Sequence, residues 1–459
     1  MKFLFVLAVA GMTCIVSADE KSVALEKKPD LEFYAGGDFR VRYESFNNIP
    51  LRRLNGVPAT IDKLNYLRIR SRVWGEAKYK NFKLHTRLAN EFREYFDPDD
   101  IDKYEAPDEL FVDALYLDAV DLFDGWLDLR VGRQELFYGS GRVLADGTPL
   151  DGTRSRFMDA VKASVIFDEE RKNVLDLLAI FNKSENELSV GGLEGMSDRQ
   201  LRSVVPGSQN MDEWGGGAYF HSTELEEMPF DLYWIYKRES KADFKGTTLD
   251  GRRFHTWGVL LRPQYTETLS GEFEGAYQAG ERDSGESVHG TMAFAALKYA
   301  PSVEWRAKPY IKPGLYYLSG DTDHSQEHSD SGWDPVWARY PQMSTLGCFC
   351  LKDGYGYWTN LIYPHIETGF RISKRNKLCM AVGPMYVDRK DGLGGGDGNF
   401  YGWLGTFRYD FPILKNILKR EDKRGKLFGR LQVEALDPGD YYVSDQVAWF
   451  LRLELLATF

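Results

Sequence analysis

Arginine recurs at every second position in two short stretches, G-G-D-F-R-V-R-Y-E (36–44) and L-R-I-R-S-R-V-W (67–74). A spacing of two puts Arg40 and Arg42 on one face of an extended strand, and Arg68, Arg70 and Arg72 on one face of another. Such rows make and break no bonds. Fixed guanidinium groups attract anions, and arranged around a pore they select them. A third stretch, LRVGRQELFYGSGRVLADGTPLDGTRSRFMDAV (129–161), begins in the same alternation with Arg130 and then breaks into glycines, with Arg142, Arg154 and Arg156 beyond the break. Gly132 removes a side chain where backbone must approach closely. Gly139 and Gly141 permit a sharp turn. If this loop folds into a lumen, its arginines narrow and charge the pore. If it packs on the rim, they pair with Asp146, Asp151 or Asp159. The strand arginines have a second reading too, as ladders neutralised by Glu44, Glu76, Glu91 and Asp128. No G-K-[ST] follows the glycines and no helix opens there, so a phosphate-binding loop is not expected.

Other constellations are weaker. G-D-T-D-H-S-Q-E-H-S-D (320–330) offers Asp321, Asp323, His324 and His328 as candidate ligands for a divalent ion in an external loop. The spacing is not that of an EF-hand, because Gln326 stands where the turn glycine should be; a solvated acidic loop is the competing reading. D-G-L-G-G-G-D-G-N-F (391–400) reads as a hairpin tip. The seven histidines form no recurrent Ser–His or Glu–His pair, so a barrel lipase or acyltransferase is the weaker class and no cofactor is expected.

The elements that must position these arginines are strands. After an N-terminal leader, MKFLFVLAVAGMTCIVSA, whose basic start, apolar run and V-S-A site mark residues 1–18 as a secretory signal peptide, residues 19–30 form a short segment. From Leu31 to Phe459 the chain reads as one β domain. Cleavage removes Lys2 and takes the net charge from −11 to −12, which argues against nucleic acid. Cys348, Cys350 and Cys379 remain, too few for a disulfide framework. No later stretch is apolar enough for a membrane helix, a test to which barrels are invisible.

Period-two alternation pairs an apolar face (Leu67, Ile69, Val73) with a charged one, strand after strand. The strands, about 10–14 residues long, exceed the usual globular length and suit a tilted membrane crossing. Expected strands fall at 31–45, 64–80, 82–95, 110–119, 126–136, 158–168, 173–182, 213–222, 230–239, 253–265, 270–280, 290–300, 306–319, 357–373, 377–388, 400–411, 426–436 and 446–459. Long connections (46–63, 96–109, 137–157, 183–212, 320–356) alternate with tight ones such as K-N-F and K-R-N-K. Long loops on one rim and tight turns on the other is the arrangement of outer-membrane barrels, and an even count near eighteen puts both termini on the periplasmic side. V-A-W-F-L-R-L-E-L-L-A-T-F (447–459) has an unbroken apolar face ending on Phe459, as a closing strand requires. The expectation is an all-β transmembrane antiparallel barrel in a Gram-negative-type outer membrane. Its surroundings are lipid and the barrel-assembly machinery. No plug domain is expected before the first strand, and transport should be passive.

With the barrel in place, L-R-V-G-R-Q-E-L-x-Y-G-x-G-R (129–142) followed by R-x-R-F-x-D-A-V (154–161) resembles the alginate-export family of outer-membrane porins. Further segments resemble it in order: GGDFRVRYE, LRIRSRVWGEAKY, DALYLD (113–118), YLSGD (317–321), WDPVWARYP (333–341), NLIYPHIETGFRIS (360–373) and LDPGDYY (436–442). The resemblance spans the mature chain. It implies an eighteen-stranded barrel whose narrow arginine-lined pore passes acidic polysaccharide or its oligomers, with Arg68, Arg70, Arg72 and Arg130 on the lumen face. It also implies periplasmic secretion or uptake components as partners. The chain departs from the family at 412–425, a short basic segment from which a long periplasmic plug is hard to build. A general porin without polysaccharide specificity is the alternative.

Overall fold

The computed structural model describes residues 31–52, 59–98, 110–145, 158–183, 189–190, 212–244, 247–302, 304–321, 330–338, 343–351, 359–415 and 425–459. The expected signal peptide, segment 19–30, Arg154, Arg156, Asp323, His324 and His328 lie outside them.

Eighteen long strands alternate in direction around one sheet. They are β1 (Leu31–Leu51), β2 (Ala59–Tyr79), β3 (Phe82–Asp97), β4 (Leu110–Leu122), β5 (Leu127–Gln134), β6 (Met158–Ile166), β7 (Asn173–Asn182), β8 (Glu213–Ser222) and β9 (Phe230–Glu239). The second half comprises β10 (Arg252–Leu261), β11 (Leu269–Arg282), β12 (Ser287–Tyr299), β13 (Lys308–Leu318), β14 (Leu361–Ser373), β15 (Asn376–Tyr386), β16 (Phe400–Lys415), β17 (Lys426–Pro438) and β18 (Ala448–Thr458). Each pairs with its neighbour in sequence, and β18 pairs antiparallel with β1 from Asp38↔Thr458 to Asn47↔Trp449. The sheet has no free edge, the condition a sheet must meet in lipid.

Alternation decides which side faces what. Outward positions expose Leu117, Val131, Leu177, Leu232, Ile366, Val382, Leu453 and Leu455. A soluble protein would bury such a band; here it is the face for hydrocarbon. Toward the tight-turn rim the band ends in exposed Phe33, Tyr79, Phe82, Phe123, Trp126 and Trp305, the amphipathic girdle of a bilayer boundary. Both ends of the sheet, Leu31 and Thr458, lie at that rim. The opposite rim carries the long connections, with one exception: β11 and β12 are joined there by the tight turn 283–286.

Phe459 closes the seam. Its N–H donates to Gly37 O (3.0 Å) and its O accepts from Gly37 N (2.9 Å). Deleting Phe459 removes both bonds and the ring packed on Gly37. The expected result is a lower yield of heat-modifiable barrel in detergent, with the residual unfolded band on unheated gels as the readout. A deletion variant that assembles like the intact chain would contradict it.

The main buried apolar core lies inside the barrel. Segments 135–145, 330–338 and 343–351 turn inward, and Leu144, Val336, Trp337, Leu346 and Leu351 pack against Phe46, Phe254, Tyr363 and Phe450 of the inner wall.

Candidate functional site

The glycines of the 129–142 stretch act as their positions suggest. Gly132 has φ +124, and a Cβ there would lie 2.2 Å from Leu115 O. Gly139 (φ +56) and Gly141 (φ +73) turn the chain back into the lumen. The segment reaches across to the far wall. Tyr138 Oη donates to Asp176 (2.6 Å), and Ser140 Oγ to Glu272 (2.6 Å). Arg142 lies between Glu274 (2.7 Å) and Glu272 (2.8 Å) with its guanidinium 3.6 Å from the Phe294 ring centroid. Residues 135–145 thus lie inside the barrel, where Arg142 is a buried cation paired with Glu272 and Glu274; the rest of the expected loop, 146–157, lies outside the described residues.

A second segment meets it there, which the reading of 320–356 as an external loop did not anticipate. Trp337 N donates to Val143 O (3.0 Å), and Leu144 and Trp337 form a parallel bridge. Glu434 on β17 anchors residues 344–346, accepting from Ser344 Oγ (2.6 Å), Thr345 N and Leu346 N (2.9 Å each). Trp333, Val336, Trp337, Leu346 and Leu351, apolar residues inside a long connection, were the signal in the sequence.

The strand arginines all occupy the inner wall, but most do not face open water. Arg40, Arg42, Arg68 and Arg70 are 3 %, 1 %, 4 % and 5 % exposed. Arg40 meets Glu91 (3.1 Å), and Arg42 meets Glu454 (2.5 Å) and Glu44 (3.5 Å). Arg68 bridges Glu91 (2.9 Å) and Glu44 (3.3 Å), Arg70 holds Asp38 (2.8 Å), and Arg452 closes on Glu44 (2.5 Å). This is a ladder of charges stitched across β18, β1, β2 and β3. As open pore-lining cations, these four positions are corrected: their burial among carboxylates leaves little field for a passing solute. Arg72 and Arg130 retain side-chain exposure of 15 % and 28 %. Arg130 pairs with Asp118 (2.5 Å) and lies over the Tyr116 ring at 4.2 Å.

The more open positive surface lies on β14–β18, further along the same wall. A cavity of about 300 Å³ is lined by Arg371, Lys377, Arg408, Arg430 and Arg452 against Glu367, Asp410 and Glu434, with Tyr310, Tyr363 and His365 as ring-bearing neighbours. Asp410 takes Arg408 (2.9 Å) and Arg430 (2.6 Å), while Lys377 stands 3.9 Å away. Glu434 is committed to the 344–346 segment and Glu367 accepts from Tyr310 Oη (2.8 Å). Arg371 is exposed and has no ion-pair partner among the described residues. Lys298 stands over the Tyr310 ring (4.7 Å). The local balance is positive although the chain is acidic. The alternation in G-F-R-I-S, K-L-C-M-A and F-G-R-L-Q-V carries these residues as plainly as it carries Arg68 and Arg70.

Among the described residues no group of His, Cys, Asp and Glu could hold a metal. Asp321 accepts from Ser331 Oγ (3.2 Å), and Asp330 is taken by Arg282 (2.5 Å) and Arg252 (3.4 Å).

No family model matches the chain, and no curated protein matches it in sequence. Its fold is similar to solved structures of the Occ/Opd outer-membrane porins. OccAB3 of Acinetobacter baumannii has a TM-score of 0.55 at 11 % identity, covering 93 % of this chain and 99 % of that one. Pseudomonas aeruginosa OccK2 (OpdF), solved with glucuronate, has a TM-score of 0.52 at 12 % identity over 93 % and 97 %. OpdK of the same organism, solved with vanillate, has a TM-score of 0.52 at 12 % identity over 93 % and 98 %. The shared feature is a closed eighteen-strand antiparallel barrel.

Proposed function

We propose that this barrel is a passive outer-membrane channel for small anionic solutes, with single-ring carboxylates as the favoured class. The observation that carries the reading is Arg371, without an ion-pair partner among the described residues, beside Lys377, Arg408 and Arg430 in a lumen cavity that also offers aromatic rings. A carboxylate meets several weak cationic contacts there, enough to enter and few enough to leave. The glucuronate and vanillate held by two structures of the same fold are ring carboxylates of this kind. Arg72 and Arg130 extend the cationic path along the wall, and Arg142 shapes the constriction. The tight-turn rim with both ends of the sheet faces the periplasm in this reading, and transport needs neither a cofactor nor an energising partner. No bond is made or broken, and the channel is not an enzyme.

The finer reading, passage of an acidic polysaccharide as the alginate-export resemblance implies, has less support. A cavity of about 300 Å³ suits one ring rather than a chain of them, being at the lower end for organic ligands. Secretion or uptake partners in the periplasm belong to that finer reading.

Reversal potentials in planar bilayers under a salt gradient test the proposal. Anion preference is expected in the wild type, falling towards or below unity in the Arg371→Glu, Lys377→Glu double variant. Cation preference in the wild type would remove the reading. Liposome swelling separates the solute classes: glucuronate is expected to enter faster than glucose and faster than uronate oligomers. Equal rates for glucuronate and glucose would make this a general porin, and rapid entry of the oligomers would restore the polymer reading.

A further inference from the structure

One turn in the lumen adopts a backbone conformation that its side chain disfavours. Val336 has φ +54, a left-handed conformation that a β-branched residue holds only when its surroundings over-determine it. Those surroundings are specific. Val336 N donates to Asp334 Oδ1 (2.6 Å), and Val336 O accepts from Lys237 Nζ (2.9 Å). Lys237 lies on β9 with no exposed surface, beside Glu239 (2.5 Å), Glu213 (3.4 Å) and Asp334 (3.7 Å). Arg252 on β10 joins Asp334 to Glu239. Gln278 on β11 donates Nε2 to Asp334 O (2.8 Å) and accepts from Asp334 N (2.9 Å).

The strained turn is also the joint between the two inward segments, since the next residue, Trp337, makes the contact with Val143 and Leu144. The wall behind it does not need this apparatus. Strands β8, β9 and β10 pair in unbroken register from Glu213 to Leu261. A fully buried lysine is costly to place and adds little to a sheet already hydrogen-bonded throughout. What it adds is a hold on one carbonyl of a loop.

We propose that Lys237 is a positioning residue of the channel: with Asp334 and Arg252 it latches Val336 in the left-handed conformation, and the latch sets the width of the constriction between 135–145 and 333–338. The inference rests on the channel reading above. When the latch is lost, Val336 relaxes, Trp337 leaves Val143, and the pore gains a wider level that the wild type rarely visits.

Single-channel recording on the full barrel tests this with three variants. Lys237→Met keeps the stem and removes the hold. Val336→Gly keeps the hold and removes the strain, because glycine takes positive φ freely. The third variant carries both. Lys237→Met is expected to spend at least about a hundredfold more time in a higher-conductance level, the scale of shift when a two-state element loses one partner of a buried ion pair. Val336→Gly is expected to conduct as wild type, and the double variant to return towards wild type, since an unstrained turn needs no latch. Wild-type conductance levels in Lys237→Met, or an effect that Val336→Gly does not reduce, would overturn the latch. If Lys237→Met does not fold, Asp334→Asn takes its place with the same expectations, losing the ion pairs with Lys237 and Arg252 at constant size. A folded wild type that passes no current would overturn the channel reading and the latch with it. Anion-selective current with a silent Lys237→Met overturns the latch alone.

Discussion

Alanine in place of Arg42 is expected to cost the barrel about 3–5 kcal/mol, the range for removing one partner of a buried ion pair. Arg42 is 1 % exposed and supplies two hydrogen bonds to Glu454 Oε2, at 2.8 and 2.5 Å. Glu44 would keep Arg68 and Arg452, but Glu454 would lose both short hydrogen bonds, with Arg430 standing 3.7 Å away. The loss is an uncompensated charge rather than a missing attraction. Arg42→Met combined with Glu454→Gln is therefore expected to recover most of it, because replacing both members of a buried pair is often nearly neutral. The midpoint temperature of the heat-modifiable band in detergent measures both variants; a double variant no better than Arg42→Ala would refute the account. Arg130→Ala should behave in the opposite way. Its side chain is 28 % exposed, and Asp118 keeps Lys83 at 3.1 Å, so stability changes little. A carboxylate is uncovered towards the lumen, and anion preference should fall.

That contrast marks where the sequence stops being legible. Alternation assigns Arg42 and Arg130 to the same face, and on that face they are. It carries no information on which acid, 412 residues away in the case of Glu454, stands opposite each one. Register around a closed sheet is a property of closure, not of any local stretch. Strand positions fared better, since each strand must present its own apolar face to lipid. The expected 173–182, 213–222 and 230–239 coincide with β7, β8 and β9. The first two strands run past their expected ends, to Leu51 and from Ala59, because pairing persists where alternation has lapsed, as in Asn47↔Lys63 and Ile49↔Ile61. The inward course of 330–338 and 343–351 was hidden by the length of the connection, though its tryptophans belong to a core. The cation cluster of β14–β17 was missed for a simpler reason. Its arginines stand singly among apolar residues, and a row such as R-I-R-S-R draws the eye where single ones do not.

Acid should release the long-loop rim before it disturbs the barrel. Arg52, at the end of β1, donates to Asp391 Oδ2 (2.5 Å), Tyr441 Oη (3.0 Å) and Leu351 O (2.8 Å), tying three other connections to one guanidinium. Burial pushes the Asp391 carboxyl up, but Arg52 and hydrogen bonds from Tyr441, Leu393 N and Asn360 outweigh it and hold the group below the ordinary carboxylate range. A carboxyl whose folded value is depressed binds its proton more readily in the unfolded state. Its contribution is therefore complete above the ordinary value of about 3.9 and is lost as pH falls through the lower folded value. Pepsin cleavage within 343–351 and 387–399 is expected to be slow near pH 4 and to accelerate as the pH is lowered further, while the heat-modifiable barrel persists. Arg52→Ala leaves Asp391 buried without its cation, so the same loops should be cut rapidly already near pH 4, with little further acceleration below. Cleavage of the wild type that is independent of pH in this window, or an Arg52→Ala profile that follows the wild type, would show that the rim is held by something other than this ion pair.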